Sequence, residues 1–492
     1  MLAAFKGLRP FQLSEYIFLA LFAFFVPISW RIATYVMIAI FITTILRGIF
    51  EEGFKVNQLQ YKNRTVYLMF IAFWLLYAIS FLYSDNAAEA RVQIGKKLPF
   101  MLFPLFFMMS NLSYLTKERV RTIMYCFVCG ILFFYIVNFF WALYDIIFKD
   151  FSNTRLTSCY RFFKNNAIFE YMHRAHFSIF TCMGLIFCLK ELFEMKNYCL
   201  RIFNVIAAII LVFSPFFVFS RAGVLCTILI LFIVWIWIIS MHKRMDVGII
   251  TGIIMIVFVI VGYFAFPKTV DRFTDAIGRI KEGKGDVRLT LRKSCKIALK
   301  DNFIFGAGSG DRCDVTMAAH EMYRESIVSN ILPAENADML NFEQNRKSLL
   351  DSIDAKYDNE YTDEVYEYAE RISEELDCDY NSIKENLAEY QLIDHTIKHE
   401  LNAHNQFSDT IIAVGVLGLL LLLGFFFAPI YLWIKTKTFD IILFSMLFII
   451  AFNCLFESVF ERQMGIMFFV FFYFLLFHGD FCQQTTDHNL HQ

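Results

Sequence analysis

Charged side chains are too sparse in this chain for a protein that lives in water. Asp, Glu, Lys and Arg make up 18% of its 492 residues, against roughly 25% in soluble chains, which excludes an ordinary cytosolic enzyme. Proline (8) and glycine (21) are also few, so little interrupts the apolar runs that recur along most of the length, long enough to cross a hydrocarbon core. Neither sign of charge predominates: a formal net charge of −1 gives no basic field for nucleic acid. The twelve cysteines show no repeated paired spacing, and most, such as Cys126, Cys129, Cys182, Cys188 and Cys226, sit inside apolar runs as small hydrophobes. Cys159, Cys295, Cys313 and Cys378 stand in polar stretches, where a disulfide is conceivable in an oxidising compartment. Lys6 and Arg9 precede an apolar stretch from about Tyr16, yet no small-residue cleavage site follows Pro27 and Trp30, so that stretch is expected to stay as a first span.

What is present is a chain 58% hydrophobic, with 60 Phe and 23 Tyr. The apolar runs predict an all-α integral membrane protein of about twelve transmembrane helices. Spans are expected near residues 13–30, 32–50, 66–83, 98–112, 122–147, 171–189, 202–219, 222–240, 247–266, 406–434, 439–456 and 463–478. Residues 84–97, where Asp85, Glu89, Arg91 and Lys96 alternate with small apolar residues, suit a short interfacial helix. Three parts follow: a bundle of about nine spans over 1–267, a polar loop domain over 268–405, and a bundle of about three spans over 406–492. With the N-terminus cytoplasmic, Lys and Arg such as Arg47, Lys55, Arg64, Arg119, Arg121, Arg201, Lys243, Arg244 and Lys437 fall inside in modest excess. The large, helical loop between the ninth and tenth spans then faces outward.

The near-zero net charge hides a segregation. Residues 268–310 hold 10 basic and 5 acidic side chains, whereas residues 311–400 hold 8 basic and 23 acidic, so the two halves do different work. In the acidic half Val365, Ala369, Ile372 and Leu376 recur at helical spacing among charges, which predicts a small solvated helical hairpin and a candidate lid.

Several polar residues stand out against this background. Arg221, in FVFSRAGVL, lies between two apolar runs with almost no loop to hold it. A guanidinium at that depth is costly unless paired or in a wet cavity, and so marks a functional site by default; the plainer alternative is a hairpin cap that snorkels to headgroups. Arg288, Arg292, Lys296 and Lys300 recur every fourth residue, one cationic stripe beside an apolar stripe of Leu291, Cys295 and Leu299, and such a helix can lie on a membrane surface. It suits either an anchor for a phosphate-bearing lipid, which arginine's planar fork grips bidentately, or nonspecific contact with anionic headgroups. GAGSGD, with Gly306, Gly308 and Gly310, has the wrong spacing and no preceding strand for a dinucleotide loop, and reads as a flexible turn.

His404 and Asn405 open the tenth span. A neutral imidazole near the membrane face can take a proton from a hydroxyl nucleophile, although interfacial histidines are more often just solvated. His173 and His176 share a helix face at spacing three, on either side of Arg174; no third ligand is evident, so packing or substrate contact outranks a metal. Asn453, Glu457, Glu461 and Arg462 put charge at the outer rim, where Glu457 or Glu461 is placed to hold one of the arginines.

Four segments together resemble the O-antigen ligase and O-antigen polymerase superfamily, integral membrane glycosyltransferases of the bacterial envelope. They are LYSDNAAEARVQIGKKLPFMLFPLFF, FVFSRAGVL, RLTLRKSCKIALKDNFIFGAGSGD joined after a long gap to AHNQFSDTIIAVGVLGLL, and ESVFERQMGIMFF. The third is the most specific: it looks like the shared core in which an Arg-led amphipathic helix and a Gly-turn-Gly lead to a His-Asn pair. The resemblance covers most of the chain from about residue 66 and departs from the family's pattern in the acidic insert, about residues 312–400. It implies a multi-pass protein of the bacterial inner membrane, its large loop in the periplasm, that uses neither metal nor cofactor. Such an enzyme moves a glycan from an undecaprenyl diphosphate carrier to a hydroxyl acceptor, a lipid or a glycan. Carried over by position, Arg221 and Arg288 bind the diphosphate and His404 assists the acceptor hydroxyl. Arg292, Asn405, His173, Arg174, Glu457 and Arg462 are candidates for support. A glycosyl diphosphate is already activated, so the protein chiefly holds the leaving group's charge and aligns the attacking oxygen. The expected partners are the carrier-linked donor, the acceptor and membrane lipids.

The leading expectation is a ligase-type transferase with an acceptor such as lipid A core. A polymerase, whose acceptor is a second carrier-linked repeat unit, uses the same residues. A transporter or flippase is the alternative of another class; twelve spans suit it, but no internal repeat is visible and the polar residues cluster at one face.

Overall fold

Apolar runs of this length can satisfy their own main chain in a bilayer only by coiling. The computed structural model describes residues 7–52, 63–148, 172–217, 220–242, 245–265, 270–271, 274, 278, 287–331, 380–398 and 403–481; among these every regular element is helical and none is a strand. In chain order the helices are α1 (Pro10–Phe25), α2 (Trp30–Arg47, continued by a π turn over Gly48–Glu52), α3 (Arg64–Ser80), α4 (Ala87–Lys97) and α5 (Pro99–Met109). Then come α6 (Lys117–Phe148), α7 (Arg174–Glu194), α8 (Tyr198–Phe217), α9 (Arg221–His242), α10 (Met245–Ala265) and α11 (Val287–Asn302). The last are α12 (Arg312–Ile331), α13 (Tyr380–Lys398), α14 (Gln406–Thr436), α15 (Ile441–Cys454) and α16 (Gln463–Phe481).

Each of the twelve apolar runs falls on one of these helices. Eight stretches among the described residues are long and apolar enough to cross a bilayer: Trp30–Glu51, Arg64–Tyr83, Ala87–Met109, Lys117–Trp141, Arg174–Glu194, Tyr198–Phe216, Arg221–Ser240 and Gln406–Thr436. α1, α15 and α16 are shorter apolar helices. This is a multi-pass α-helical membrane protein. Residues 84–97, expected as a short interfacial helix, supply the short helix α4, which is joined to α5 by Leu98 alone and buries Ala90, Gln93 and Lys97.

The chain divides into two compact units, residues 1–79, 91–272 and 418–492 in the first, and 80–90 and 273–417 in the second. In the first, α16 is apolar on every side and almost wholly buried from Met464 to His478, as a helix at the centre of a bundle should be. Phenylalanines from its neighbours close on it: Phe22 meets Phe471 at 4.6 Å, and Phe70 stacks on Phe425 at 3.8 Å and meets Phe474 at 4.8 Å. Outward, α2, α8 and α10 expose Ile38, Ile42, Ile206, Ile209, Ile253 and Ile256, side chains suited to lipid as solvent.

Charges in this unit gather at helix ends. Glu15 of α1 takes hydrogen bonds from Arg47, Thr44 (2.6 Å) and Tyr114 (2.6 Å), all within the bundle. Arg121 pairs with Glu191 at 3.0 Å, and Lys190 with Asp440 at 3.4 Å, where Asp440 also caps α15. A buried carboxylate stripped of its cation is expensive, so Arg47→Met should cost about 3–5 kcal/mol in unfolding free energy. The double variant Arg47→Met with Glu15→Gln should recover most of that loss, as read from denaturant or thermal unfolding in detergent.

The second unit is a helical cluster. α11, α12 and α13 pack together, and Ala298 of α11, Ala319 of α12 and Ile412 of α14 share a small core. α13 is tied to both α11 and α12: Lys293 pairs with Glu389 at 2.6 Å, Tyr323 donates to Glu389 at 2.7 Å, and Arg324 pairs with Asp394 at 3.2 Å. Burial, with the Glu389 carboxylate beside it, pushes the Tyr323 phenol up from its ordinary range. Val365, Ala369, Ile372 and Leu376, expected on a hairpin, lie outside the described residues, as do Cys159 and Cys378; Cys295 and Cys313 are free thiols.

Candidate functional site

α14 runs 31 residues but its helix breaks once, at Val414 (φ −136°) and Gly415 (φ 72°). A break strands carbonyls that must find other donors. The loop after α11 provides them: Ala307 N donates to Ile412 O at 2.7 Å and Gly308 N to Ala413 O at 3.1 Å, while Val416 N donates to Phe303 O at 2.8 Å. Gly306 (φ 77°) and Gly308 (φ 108°) hold the left-handed backbone this path requires, and a Cβ on Gly306 would sit 2.6 Å from the Ala413 carbonyl. GAGSGD, expected as a flexible turn, is therefore a splint whose main chain repairs the break.

The same loop fixes the start of α4. Asp311 accepts hydrogen bonds from Asp85 N (2.8 Å) and Asn86 N (2.7 Å), Gly310 N donates to Ser84 Oγ (3.1 Å), and Tyr83 OH donates to Phe305 O (2.9 Å). Two of the sequence segments singled out above are thus joined.

His404 precedes α14 with φ 44°, one of two non-glycine residues in the left-handed region among those described. It is half-buried, and its Nδ1 is turned away from solvent. Asn405 caps the helix, its Oδ1 accepting from Ser408 N at 3.0 Å. In the first turn Asp409 pairs with Arg312 of α12 at 2.7 Å, both buried. That pair locks the entry of α14, and with it the backbone that carries His404.

Ala298 and Ile412 share a core, and Cys295 lies within electrostatic reach of Asp409, three residues earlier on each helix, so α11 and the first turns of α14 lie side by side over these residues. The cationic stripe is as expected, Arg288 half-buried and Arg292, Lys296 and Lys300 exposed. Its apolar companion is not free for a membrane: Leu291 and Cys295 are buried inside the cluster, and Leu299 packs on its core. Ser294, on the same inner face, meets His320 Nδ1 of α12 at 2.7 Å, both wholly buried, a clamp between helices.

The remaining candidates lie in the first unit. Arg221 is the first residue of α9, after Ser220, whose Oγ accepts from Gly223 N at 3.0 Å. No ion-pair partner for Arg221 occurs among the described residues, so it forms no buried pair with them. A Cβ on Gly223 would meet Ser178 of α7, so the N-terminal ends of α7 and α9 touch. His173 precedes α7 and Arg174 begins it; the His173 and His176 rings lie 5.8 Å apart. His176 Nε2 is 3.1 Å from Val459 O, a contact within the fold, and no group of three or more His, Cys, Asp or Glu suited to a metal occurs among the described residues. Glu457 and Arg462 lie within electrostatic reach of both imidazoles. Glu461, expected with Glu457 as a holder of one of the arginines, places its Oε1 3.2 Å from Lys97 Nζ.

Sequence reasoning missed Arg312, Asp409 and Lys97. A carboxylate inside an apolar run is a signal it could have used for Asp409. Compared with known proteins, the chain matches no family model and no curated protein.

Burial pushes the Cys295 thiol up to about 12, with Asp409's charge adding to the rise, so it stays protonated at any pH below that. Against an ordinary thiol near pKa 8.5 its thiolate fraction is roughly a thousandfold lower. In the folded protein at pH 9, maleimide should label exposed Cys313 fully and leave Cys295 intact, as peptide mapping by mass spectrometry will show. Asp409→Ala leaves Arg312 buried and unpaired and should cost about 3–5 kcal/mol, read by unfolding in detergent.

Proposed function

We propose that the protein is an O-antigen-ligase-type glycosyltransferase of a bacterial inner membrane, crossing it about twelve times with the 268–405 region in the periplasm. It moves a glycan from an undecaprenyl diphosphate carrier to a hydroxyl acceptor such as lipid A core. The observation that supports this reading best lies in the second unit, where α11, the carrier of Arg288 and Arg292, packs in one core with the first turns of α14, and His404, just ahead of α14, has its backbone held in the left-handed region. Non-glycine backbone in that region persists only where its surroundings impose it, and such positions gather at functional sites.

In this mechanism the acceptor hydroxyl oxygen attacks the anomeric carbon as the bond from that carbon to the diphosphate oxygen breaks. His404 takes the hydroxyl proton, a step worth typically 10²–10⁴ in rate. The departing diphosphate carries the developing negative charge, and Arg288 meets it with paired hydrogen bonds that an ammonium cannot copy. Arg221 serves as a further diphosphate contact, a role it takes from the family resemblance. Held donor and acceptor need no nucleotide and no metal in this scheme.

Purified protein in detergent, given carrier-linked glycan and acceptor, tests the assignment. Arg288→Ala and His404→Ala should each lower transfer by about 10²-fold or more, and Arg288→Lys should rescue little. Transfer at the wild-type rate by either alanine variant removes the chemistry assigned here. Deleting the gene should leave full-length polymer on the carrier; core bearing a single repeat unit instead makes the enzyme a polymerase.

A further inference from the structure

The first unit has its own concentration of charge, and its wiring is unusual. Glu461 and Arg462 are neighbours in sequence, at the end of the short 3-10 turn Val459–Glu461 before α16. An adjacent acid and base on a rim would ordinarily screen each other. Here they face opposite ways. Glu461 turns inward to Lys97, whose ammonium is wholly buried, 2.9 Å from Gln93 Oε1 and 4.4 Å from the centre of the Tyr77 ring. Arg462 is exposed, and no ion-pair partner for it occurs among the described residues.

A buried lysine is costly, and its pairing returns little net stability over an apolar substitute. What the Lys97–Glu461 pair does achieve is geometric. It pins the turn from inside, and a second pin comes from His176, whose Nε2 donates to Val459 O at 3.1 Å. Gly465 closes the arrangement, because any Cβ there would strike Val459 O and the His176 ring. The turn is also tied to α9 through Asn453, whose Nδ2 reaches Cys226 Sγ at 3.3 Å and whose carbonyl accepts from Glu457 N at 2.8 Å. Cys226 lies little more than a turn beyond Arg221. Arg221, Arg174 and Arg462 therefore share one end of this unit, around His173 and His176.

We infer that Arg462 is a substrate-binding residue for a lipid-linked phosphate, acting with Arg221, and that Lys97 is the positioning residue that holds it there by drawing Glu461 away. The inference rests on the transferase reading for the identity of the substrate, but the phosphate chemistry stands on the residues. Two guanidiniums with no ion-pair partner among the described residues, one of them on a pinned turn, suit the oxygens of a phosphate ester or diphosphate. A loosely held rim arginine would suit any anionic headgroup. The pinned turn separates the two cases: it fixes the point from which the Arg462 guanidinium reaches, which general headgroup contact does not require.

Binding to the full chain in nanodiscs of neutral lipid decides it, with polyprenyl diphosphate as one probe and phosphatidylglycerol as the other. Arg462→Gln should weaken polyprenyl diphosphate roughly ten- to a hundredfold, the loss expected for a charged hydrogen bond, and leave phosphatidylglycerol binding within about twofold. Arg201→Gln, an exposed cation elsewhere in the unit, should change neither. Lys97→Met should weaken the diphosphate by a similar factor, and since that variant strips Glu461 of its buried partner, the charge swap Lys97→Glu with Glu461→Lys is read beside it and should restore binding. Unchanged diphosphate binding by Arg462→Gln overturns the inference, as does an equal loss for both lipids, which makes Arg462 a headgroup anchor. Arg462-dependent binding without any glycan transfer by wild type overturns the transferase reading and leaves this one standing.

Discussion

A polypeptide that breaks its helix in an apolar setting must give every freed carbonyl a donor, and α14 shows what that demand entails. The break at Val414–Gly415 would leave the carbonyls of Ile412 and Ala413 stranded without Ala307 and Gly308. Those donors sit on the loop that leaves α11, so the repair also fixes the basic helix in register with the start of α14. The glycines follow from the repair: two backbones approach too closely for a Cβ at Gly306 or Gly415. The seating of the C-terminal end of α11 against the first turns of α14 is thus a by-product of main-chain hydrogen bonding.

The second organising principle is that several ions inside the protein come in pairs that join distant elements. Glu15 with Arg47, Lys97 with Glu461, and Arg312 with Asp409 each join elements distant in sequence. Such pairs contribute specificity of arrangement more than net stability. Each fixes a helix entry or a turn: the beginning of α14 for Asp409, the turn before α16 for Glu461. Arg221 and Arg462, by contrast, have no ion-pair partner among the described residues. Uncompensated guanidiniums beside pinned backbone fit ligand recognition better than scaffolding.

Much of the architecture was legible because apolar run length is a strong signal: all twelve runs fall on helices, and the boundaries shift mainly where α4 and α5 join. The cationic stripe of α11 was also readable, since a spacing of four has only one meaning on a helix. Its setting was not. An amphipathic helix that packs on protein and one that lies on lipid have the same periodicity, and only the presence of α12 and α13 separates them. Lys97 was invisible for a similar reason. It follows Lys96 with no distinguishing neighbour, and the phase of α4 relative to Glu461, over 360 residues away, decides which of the two is buried. The GAGSGD loop was misread in character because glycine permits a flexible turn and a tightly bonded close approach equally well.

The charge segregation of the large loop acquires a partial explanation from α13. Its carboxylates take cations on three helices: Glu389 takes Lys293 of α11, and Asp394 takes Arg324 of α12 and Lys398 of α13 itself. Lys296 and Lys300 form no ion pair among the described residues and stay exposed. An acidic helix so placed lowers the unspecific positive field of the cluster while sparing the stripe. In salt with a Debye length of about 8–10 Å, the paired cations would attract little at a distance, so the attraction that remains is short-ranged and directed along one face of α11. A surface meant to hold bulk anionic lipid would gain from every available cation. One that removes some and keeps a line of others is better suited to a ligand whose charge is concentrated at one end.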